Sequence, residues 1–104
     1  MFLEGKYPAY GAFDGNQLVG MLGIRNENHI SLLFVLDKYH KQGIGRALLL
    51  YAFKQAGVFG IEGFTVNAAP YATEFYHKIG FEDISQEVVA DGIRFTPMQI
   101  KIKN

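Results

Sequence analysis

The residues best suited to chemistry lie in the segment DKYHKQGIGRALLLYAF, residues 37–53, where cations and glycines precede an apolar run. Gly43 and Gly45 leave the backbone open to a ligand, and the first-turn amides of a helix have no partner within that helix. The positive end of the helix dipole adds to this attraction for anions. The segment is locally basic, with Lys38, Lys41 and Arg46 against Asp37. The pattern therefore favours a phosphate or pyrophosphate site.

A plainer explanation stays open from this segment alone, since glycines also permit tight turns and the cations could be solvated surface charges. Two common nucleotide sites are disfavoured. The phosphate-binding loop of nucleotide triphosphatases ends in Gly-Lys-Ser/Thr, but here Arg46 and Ala47 follow Gly45, so the residue that would hold magnesium is missing. A dinucleotide fold needs three spaced glycines, and only two are present.

The elements that would position this segment begin with β structure. Residues 10–13 and 17–25 flank Asp14-Gly15-Asn16, a sequence typical of a tight hairpin turn. Residues 30–36 are a nearly unbroken apolar run, which predicts a central strand buried on both faces.

A helix is predicted from Ile44 to near Gly57, with an apolar stripe at positions 44, 47, 48, 51 and 52. Further apolar residues lie off that stripe: Leu49, Leu50 and Phe53. Such a helix is packed on several sides or covered by another subunit. We favour a buried helix, and a homodimer through this helix or a terminal strand remains open.

The second half contains another strand-to-helix step and a closing hairpin. Residues 61–67 are predicted as a strand and residues 70–80 as a helix that begins at Pro70. Residues 81–90 and 93–102 flank an Asp-Gly turn. The predicted class is α/β with α+β character: a mixed, mostly antiparallel sheet with a strand-helix-strand-helix centre and a C-terminal hairpin.

Composition limits the function classes. The 104 residues suit one domain spanning residues 1–104, and equal numbers of acidic and basic residues, ten each, give no field that favours nucleic acid or an anionic membrane. The absence of cysteine excludes disulfides, thiolate metal sites and a cysteine nucleophile. With no signal peptide and no long apolar stretch, we expect a cytoplasmic protein that does not use a membrane.

Two motifs carry a resemblance to a known family. "LFVLDKYHKQGIGRALL" resembles the central Q/R-x-x-G-x-G/A motif of the GNAT superfamily of acyl-CoA-dependent N-acyltransferases, with His40 at the Q/R position. "TVNAAPYATEFYHKIGF" is similar to the later motif of that family, a strand ending in asparagine followed by a helix ending F-Y-x-K-x-G-F. The resemblance extends from about Phe13 to the C-terminus.

The resemblance implies binding of acetyl-CoA as co-substrate, without a metal. The loop and first helical turn would wrap the pyrophosphate, the preceding strand would pair with the pantetheine arm, and Asn67 would contact pantetheine or an ordered water. The implied cofactor-binding residues are Phe34, Val35, Leu36, His40, Lys41, Gln42, Gly43, Ile44, Gly45, Arg46, Ala47, Asn67 and Lys78. Histidine at position 40 is charged only near or below a pH of about 6.5, so cofactor affinity could depend on pH.

The implied reaction is the direct transfer of an acetyl group to an amine. Tyr76 is the implied proton donor, since a phenol with a pKa of about 10 is protonated at neutral pH, although the same residue also fits a core tyrosine. Asn67 also fits a strand-end cap. An oxyanion donor is expected from a backbone amide near Val35 or Leu36. The candidate bases, each also explained as a solvated turn residue, are Glu27, His29 and Glu62.

The acceptor side is the least defined. Family members usually begin with a strand and a helix pair that form part of the acceptor pocket, and the dozen residues before the first hairpin here are too few to hold them. Aromatic residues that could line the pocket, or simply belong to the core, are Tyr7, Tyr10, Phe13, Tyr71 and Phe95, while Met98 is expected to pack in the core. The main alternative to an enzyme is a non-catalytic acyl-CoA-binding or regulatory module.

Overall fold

Tight hairpins and one helical crossover build the sheet in a computed structural model, which describes residues 9–102. The strands are β1 (Ala9–Asp14), β2 (Gln17–Arg25), β3 (His29–Val35), β4 (Gly63–Ala68), β5 (Glu82–Asp83), β6 (Val88–Ala90) and β7 (Ile93–Lys101). The helices are α1 (Ile44–Val58) and α2 (Thr73–Ile79).

The sheet is mixed and mostly antiparallel, as predicted. Its strand order is β1-β2-β3-β4-β7-β5, and β6 pairs with residues 93–95 at the start of β7. Among the strands of residues 9–102, only β3 and β4 are parallel to each other, because α1 carries the chain across between them. The turns at Gly15 and Gly92 have positive φ values of 61° and 77°, which explains the Asp-Gly signals at both hairpins.

Both helices lie on one face of the sheet, which we call the helical face; the opposite face is the open face. A Cβ placed on Gly20 of β2 would lie 3.2 Å from Ile44 and 3.4 Å from Leu48, so α1 packs closely there. A core of apolar side chains fills the space between sheet and helices, including Leu22, Leu49, Phe64, Tyr76, Phe81 and Met98. Burial of this apolar area is the main force that holds the helices to the sheet.

The helix α1 is buried on one side only, which corrects the predicted stripe. Leu49, which lies off that stripe, is fully buried, whereas Tyr51, which lies on it, is 50% exposed. Leu50 is 44% exposed, so the helix is not packed on several sides within residues 9–102. The apolar residues surround the helix so evenly that the pattern could not fix which side faces the sheet.

The prediction that β3 is buried on both faces was wrong. Leu32 and Phe34 are 46% and 37% exposed on the open face, because both described helices cover the other face. The predicted strand over 81–90 is also wrong in part, since only Glu82–Asp83 and Val88–Ala90 are extended. The predicted second helix begins as a 3₁₀ turn at Pro70–Ala72 and continues as α2.

Candidate active site

A cleft opens in the middle of the sheet, between the two parallel strands. β3 and β4 pair only at His29–Thr65 and Ile30–Val66, and then diverge. Because β3 continues to Val35 and β4 to Ala68, the diverging ends no longer pair with each other, and their cleft-facing backbone groups are open to a ligand except for the Val35 carbonyl, which His40 contacts. The cleft has a volume of about 880 Å³ and is lined by both strands, by the loop before α1 and by α2.

The wide end of the cleft meets the N-terminus of α1, where the sequence predicted an anion site. Gly43 is the N-cap in a left-handed conformation, with φ 79°, and no side chain caps the helix. The first-turn amides of Ile44, Gly45 and Arg46 therefore lack side-chain acceptors within the described chain. Lys41, at φ 63°, adds a second left-handed residue, so the loop curls in the manner of backbone anion sites.

Gly45, besides the close approach of a ligand that the sequence predicts, has a packing reason to be glycine. A Cβ at Gly45 would lie 3.2 Å from Cζ of Phe75 on α2. Gly43, in contrast, has open space around it and needs glycine for its positive φ. The two glycines therefore have separate structural roles. Gly43 gives the loop its left-handed turn, and Gly45 lets α2 contact the first turn of α1.

His40, at the motif position usually held by Gln or Arg, is tied to the strand before it. Its Nε2 lies 2.8 Å from the carbonyl oxygen of Val35 and 3.7 Å from Oδ1 of Asp37. Because a carbonyl oxygen only accepts, Nε2 carries the proton and donates a hydrogen bond to the Val35 carbonyl. The ring lines the cleft and fixes the loop to the end of β3.

The backbone of β3 distinguishes between the two predicted oxyanion amides. The Leu36 amide donates to the carbonyl of Val19 on β2 at 2.8 Å, so it is not free for a ligand. Successive residues in an antiparallel strand direct their backbone groups to opposite sides, so the Val35 amide faces β4 and the cleft. The expectation is therefore corrected at Leu36 and retained at Val35.

Tyr76, the predicted proton donor, lines the cleft from the helical face. Its side chain is only 5% exposed, and its ring makes edge contacts with Phe75 and Phe81 at centroid distances of 5.1 and 5.2 Å. Burial, and then the nearby hydroxyl of Tyr71, raises the pKa of Tyr76 to about 12. The phenol therefore keeps its proton throughout the physiological pH range.

The other predicted cofactor residues divide into two groups. Those that line the cleft are Phe34, Val35, His40, Lys41, Gly43, Ile44, Gly45, Arg46, Asn67 and Lys78. Leu36, Gln42 and Ala47 do not line it. Gln42 instead donates to the carbonyl of Lys38 at 3.3 Å. Ala47 borders a smaller apolar cavity of about 310 Å³ between β1 and α1.

The aromatic candidates for the acceptor pocket are spread widely. Tyr71, 92% exposed, lines the cleft, whereas Tyr10 packs edge-on against Tyr51 beside the smaller cavity. Phe13 and Phe95 lie on β1 and β7 and do not line the cleft. Tyr7 lies outside the described residues. Met98 is fully buried, so its predicted packing role is confirmed.

Of the three candidate bases, only His29 is held in place by a described contact. Its Nδ1 lies 2.8 Å from Oγ1 of Thr65, across the closed end of the cleft. Burial, and then the charge of Arg25, lowers the pKa of His29 below its usual 6.5. Glu27 is exposed in the turn before β3 with φ 71°, and Glu62 is exposed before β4.

Sequence reasoning assigned no site role to two residues, Thr65 and Phe75, although both lie in the quoted later motif. Thr65 orients His29 and Phe75 contacts the first turn of α1, and both contacts depend on strand register and helix docking.

Among residues 9–102 no group of three or more His, Cys, Asp or Glu side chains could hold a metal ion. No helix in the same range is long and apolar enough to cross a membrane.

Comparison with known proteins supplies independent information. The model of the acetyltransferase (GNAT) domain family matches residues 1–102. A protein of Bacillus subtilis strain 168, described as a candidate acetyltransferase, is 28% identical over 85 residues, which cover 79% of this chain and 58% of that protein.

Solved structures share the fold. The GCN5-related N-acetyltransferase from Rhodopseudomonas palustris is 26% identical, with a TM-score of 0.82 over 91% of this chain and 61% of its own. A candidate streptothricin acetyltransferase from Bacillus anthracis strain Ames, solved with acetyl coenzyme A, is 19% identical, with a TM-score of 0.81 over 96% of this chain and 65% of its own. The chain thus spans about three fifths of the length of these relatives.

Proposed function

Because the chain belongs to the GNAT family of acetyltransferase domains, we propose that it transfers an acetyl group from acetyl-CoA to a primary amine by direct attack. One observation carries the proposal: a cleft between diverging parallel strands runs from the uncapped N-terminus of α1 past a buried tyrosine. It offers an anion site, an extended backbone edge and a proton donor in one continuous space.

The residues present fit coenzyme A. The amides of Ile44, Gly45 and Arg46 supply unpaired donors at the positive end of a helix, and Lys41 and Arg46 add positive charge beside the cleft. Further along, at the end of β3, the cleft-facing amide N–H of Val35 suits a carbonyl oxygen of a pantetheine arm. An arm held this way directs its thioester towards the narrow end of the cleft.

The chemistry requires an uncharged amine, a stabilised oxyanion and a proton for the departing thiolate. In this proposal a cleft-facing backbone amide of β3 near Val35 donates to the oxygen on which negative charge develops. Tyr76 supplies the donor for sulfur, since its raised pKa keeps it protonated. Full transfer from a group of pKa about 12 to a thiolate whose acid has a pKa near 8.5 is uphill by about 5 kcal/mol. Tyr76 therefore acts as a relay that regains a proton from the attacking nitrogen as it releases its own.

The test follows thermal shift and release of free thiol when the protein is incubated with acetyl-CoA and a panel of amines. We expect acetyl-CoA to raise the melting temperature, and thiol release to require an amine. A shift without release from any amine would support a non-catalytic acyl-CoA-binding module instead. Absence of a shift at millimolar acetyl-CoA would contradict both functions.

A further inference from the structure

The loop before α1 is tied to the first hairpin by a side-chain hydrogen bond. This loop, residues 37–43, begins with a 3₁₀ turn over Asp37–Tyr39 and ends at the N-cap Gly43. The hydroxyl of Tyr39 donates to Oδ2 of Asp14 at 2.6 Å, and the two residues are 25 apart in sequence. Because Asp14 is the last residue of β1, the contact joins the loop to the tip of the hairpin between β1 and β2.

The other side-chain hydrogen bonds of this loop are local. The ring of His40 contacts the Val35 carbonyl, and the side-chain amide of Gln42 donates to the Lys38 carbonyl. Each of these contacts joins residues no more than five apart, so they hold the loop to itself and to the strand that leads into it. Among the described residues, only the hydrogen bond to Asp14 joins a side chain of the loop to a different hairpin.

The backbone of the loop is one that needs such support. Lys41 has φ 63° and Gly43 has φ 79°, so two of the last three residues of the loop are left-handed. Left-handed conformations are rare for residues other than glycine, and they persist where surrounding contacts hold them. A loop that is already curled when its ligand arrives loses less conformational entropy on binding, which raises affinity.

The charge of Asp14 makes its position informative. A carboxylate beside a site for a polyanion such as coenzyme A repels that ligand, so on charge alone Asp14 weakens binding. Tyr39 lines the cleft and Asp14 does not, so the carboxylate can favour the ligand only through Tyr39. The hydrogen bond to Asp14, then burial and the charge of Asp14, raise the pKa of Tyr39, so the phenol stays a donor at neutral pH.

We propose that the hydrogen bond between Asp14 and Tyr39 positions the loop for the pyrophosphate of coenzyme A; this inference rests on the proposed cofactor site. Asp14 is a positioning residue that acts on the cofactor through Tyr39. The ring of Tyr39 also carries a cation, since Nζ of Lys38 lies 5.6 Å from its centroid. Loss of the hydrogen bond should therefore weaken cofactor binding and leave the chemistry at the thioester unchanged.

Calorimetric titration with acetyl-CoA tests the hydrogen bond. Tyr39→Phe keeps the ring in the cleft and removes the donor, so we expect the Kd to rise about fivefold, the scale of one hydrogen bond. Asp14→Ala removes the acceptor. In the Asp14→Ala background, Tyr39→Phe should cause no further loss, because the contact is already gone. A loss in the double variant equal to the two single losses combined would overturn the proposal.

Asp14→Ala separates positioning from charge, because the two effects have opposite signs. If Asp14 acts only by its charge, its removal tightens acetyl-CoA binding. As a positioning residue it should instead give binding about threefold weaker, a smaller loss than in Tyr39→Phe because the lost repulsion offsets part of the effect. Asp91→Asn removes a carboxylate at the other Asp-Gly turn, away from the cleft, and should leave the Kd unchanged. Unchanged or tighter binding in Asp14→Ala would overturn the proposal.

Steady-state kinetics and thermal unfolding provide further readouts. In Tyr39→Phe the KM for acetyl-CoA should rise about fivefold while kcat is retained, as for loss of a contact that acts only on binding. A matching fall in kcat would show that the hydroxyl acts on the reaction instead. Because the contact is exposed, the melting temperature without ligand should change little. A large drop would make the contact a requirement of the fold and would also reject the positioning role.

The proposed function and this inference fail in different ways. If the wild-type protein does not bind acetyl-CoA in the titration, the proposed function itself is wrong. If the wild type binds acetyl-CoA and Tyr39→Phe binds it equally well, only the role of the hydrogen bond between Asp14 and Tyr39 is rejected.

Discussion

The two faces of the sheet differ in packing and in exposure. The helical face is packed with apolar side chains from both helices and contains Tyr76, whereas the open face exposes Leu32 and Phe34 and carries His29. A cleft between β3 and β4 connects the two faces. In this arrangement the stability of the fold depends on one face, and the proposed reaction leaves the other face for access of a second substrate.

Adjacent leucines on α1 test this division most strongly. Leu49 is fully buried on the helical face, while Leu50 is 44% exposed. Leu49→Ala should lower the free energy of unfolding by about 2–5 kcal/mol, because it leaves a cavity in the core. Leu50→Ala should cost much less, and urea unfolding of both variants measures the difference. Similar costs would mean that another surface covers Leu50.

Removing the Tyr76 hydroxyl tests whether the helical face also takes part in the reaction. Tyr76→Phe keeps the packed ring and should lower turnover about 100-fold, while the affinity for acetyl-CoA changes little. Steady-state kinetics and calorimetric binding separate the two quantities. Tyr51→Phe, on the exposed side of α1, is the matched control and should retain turnover. Unchanged turnover in Tyr76→Phe would leave this tyrosine a purely structural role.

Glycines of β2 give a smaller contrast within one strand. A Cβ at Gly20 would lie 3.1 Å from the backbone oxygen of Phe34 and 3.2 Å from Ile44. Gly20→Ala should therefore destabilise the protein by about 1–3 kcal/mol, as overpacking does. At Gly23 the nearest atom is the hydroxyl oxygen of Ser31, at 3.3 Å, which a rotation about one bond can move. Gly23→Ala should be close to neutral, and thermal unfolding of both variants measures the difference. An equal cost at both positions would contradict the difference between the two faces.

The sequence allowed accurate prediction where a local rule determines the structure. Both Asp-Gly hairpins, the parallel crossover and the helix after Gly43 follow from turn chemistry and hydrophobic periodicity, and the structure confirms them. The two motifs indicated the family that the comparisons show.

The rest depends on how the helices dock on the sheet and how the strands pair, which no local sequence rule determines. An apolar run such as residues 30–36 looks the same whether helices cover one face or two. Tyr51 and Leu49 are both apolar enough for a core, so the side of α1 that faces the sheet was unpredictable. The His29–Thr65 contact joins residues 36 apart in sequence and exists only because of the register between β3 and β4.

The contact between Gly45 and Phe75 has a consequence for how such a domain can vary. These residues belong to different motifs, separated by a helix and a strand, yet they share one small volume. A larger side chain at position 45 demands a smaller one at position 75, so the two positions should change together among related sequences. Since Phe75 adjoins Tyr76, natural variation in the loop is thereby restrained by the residue beside the proposed proton donor.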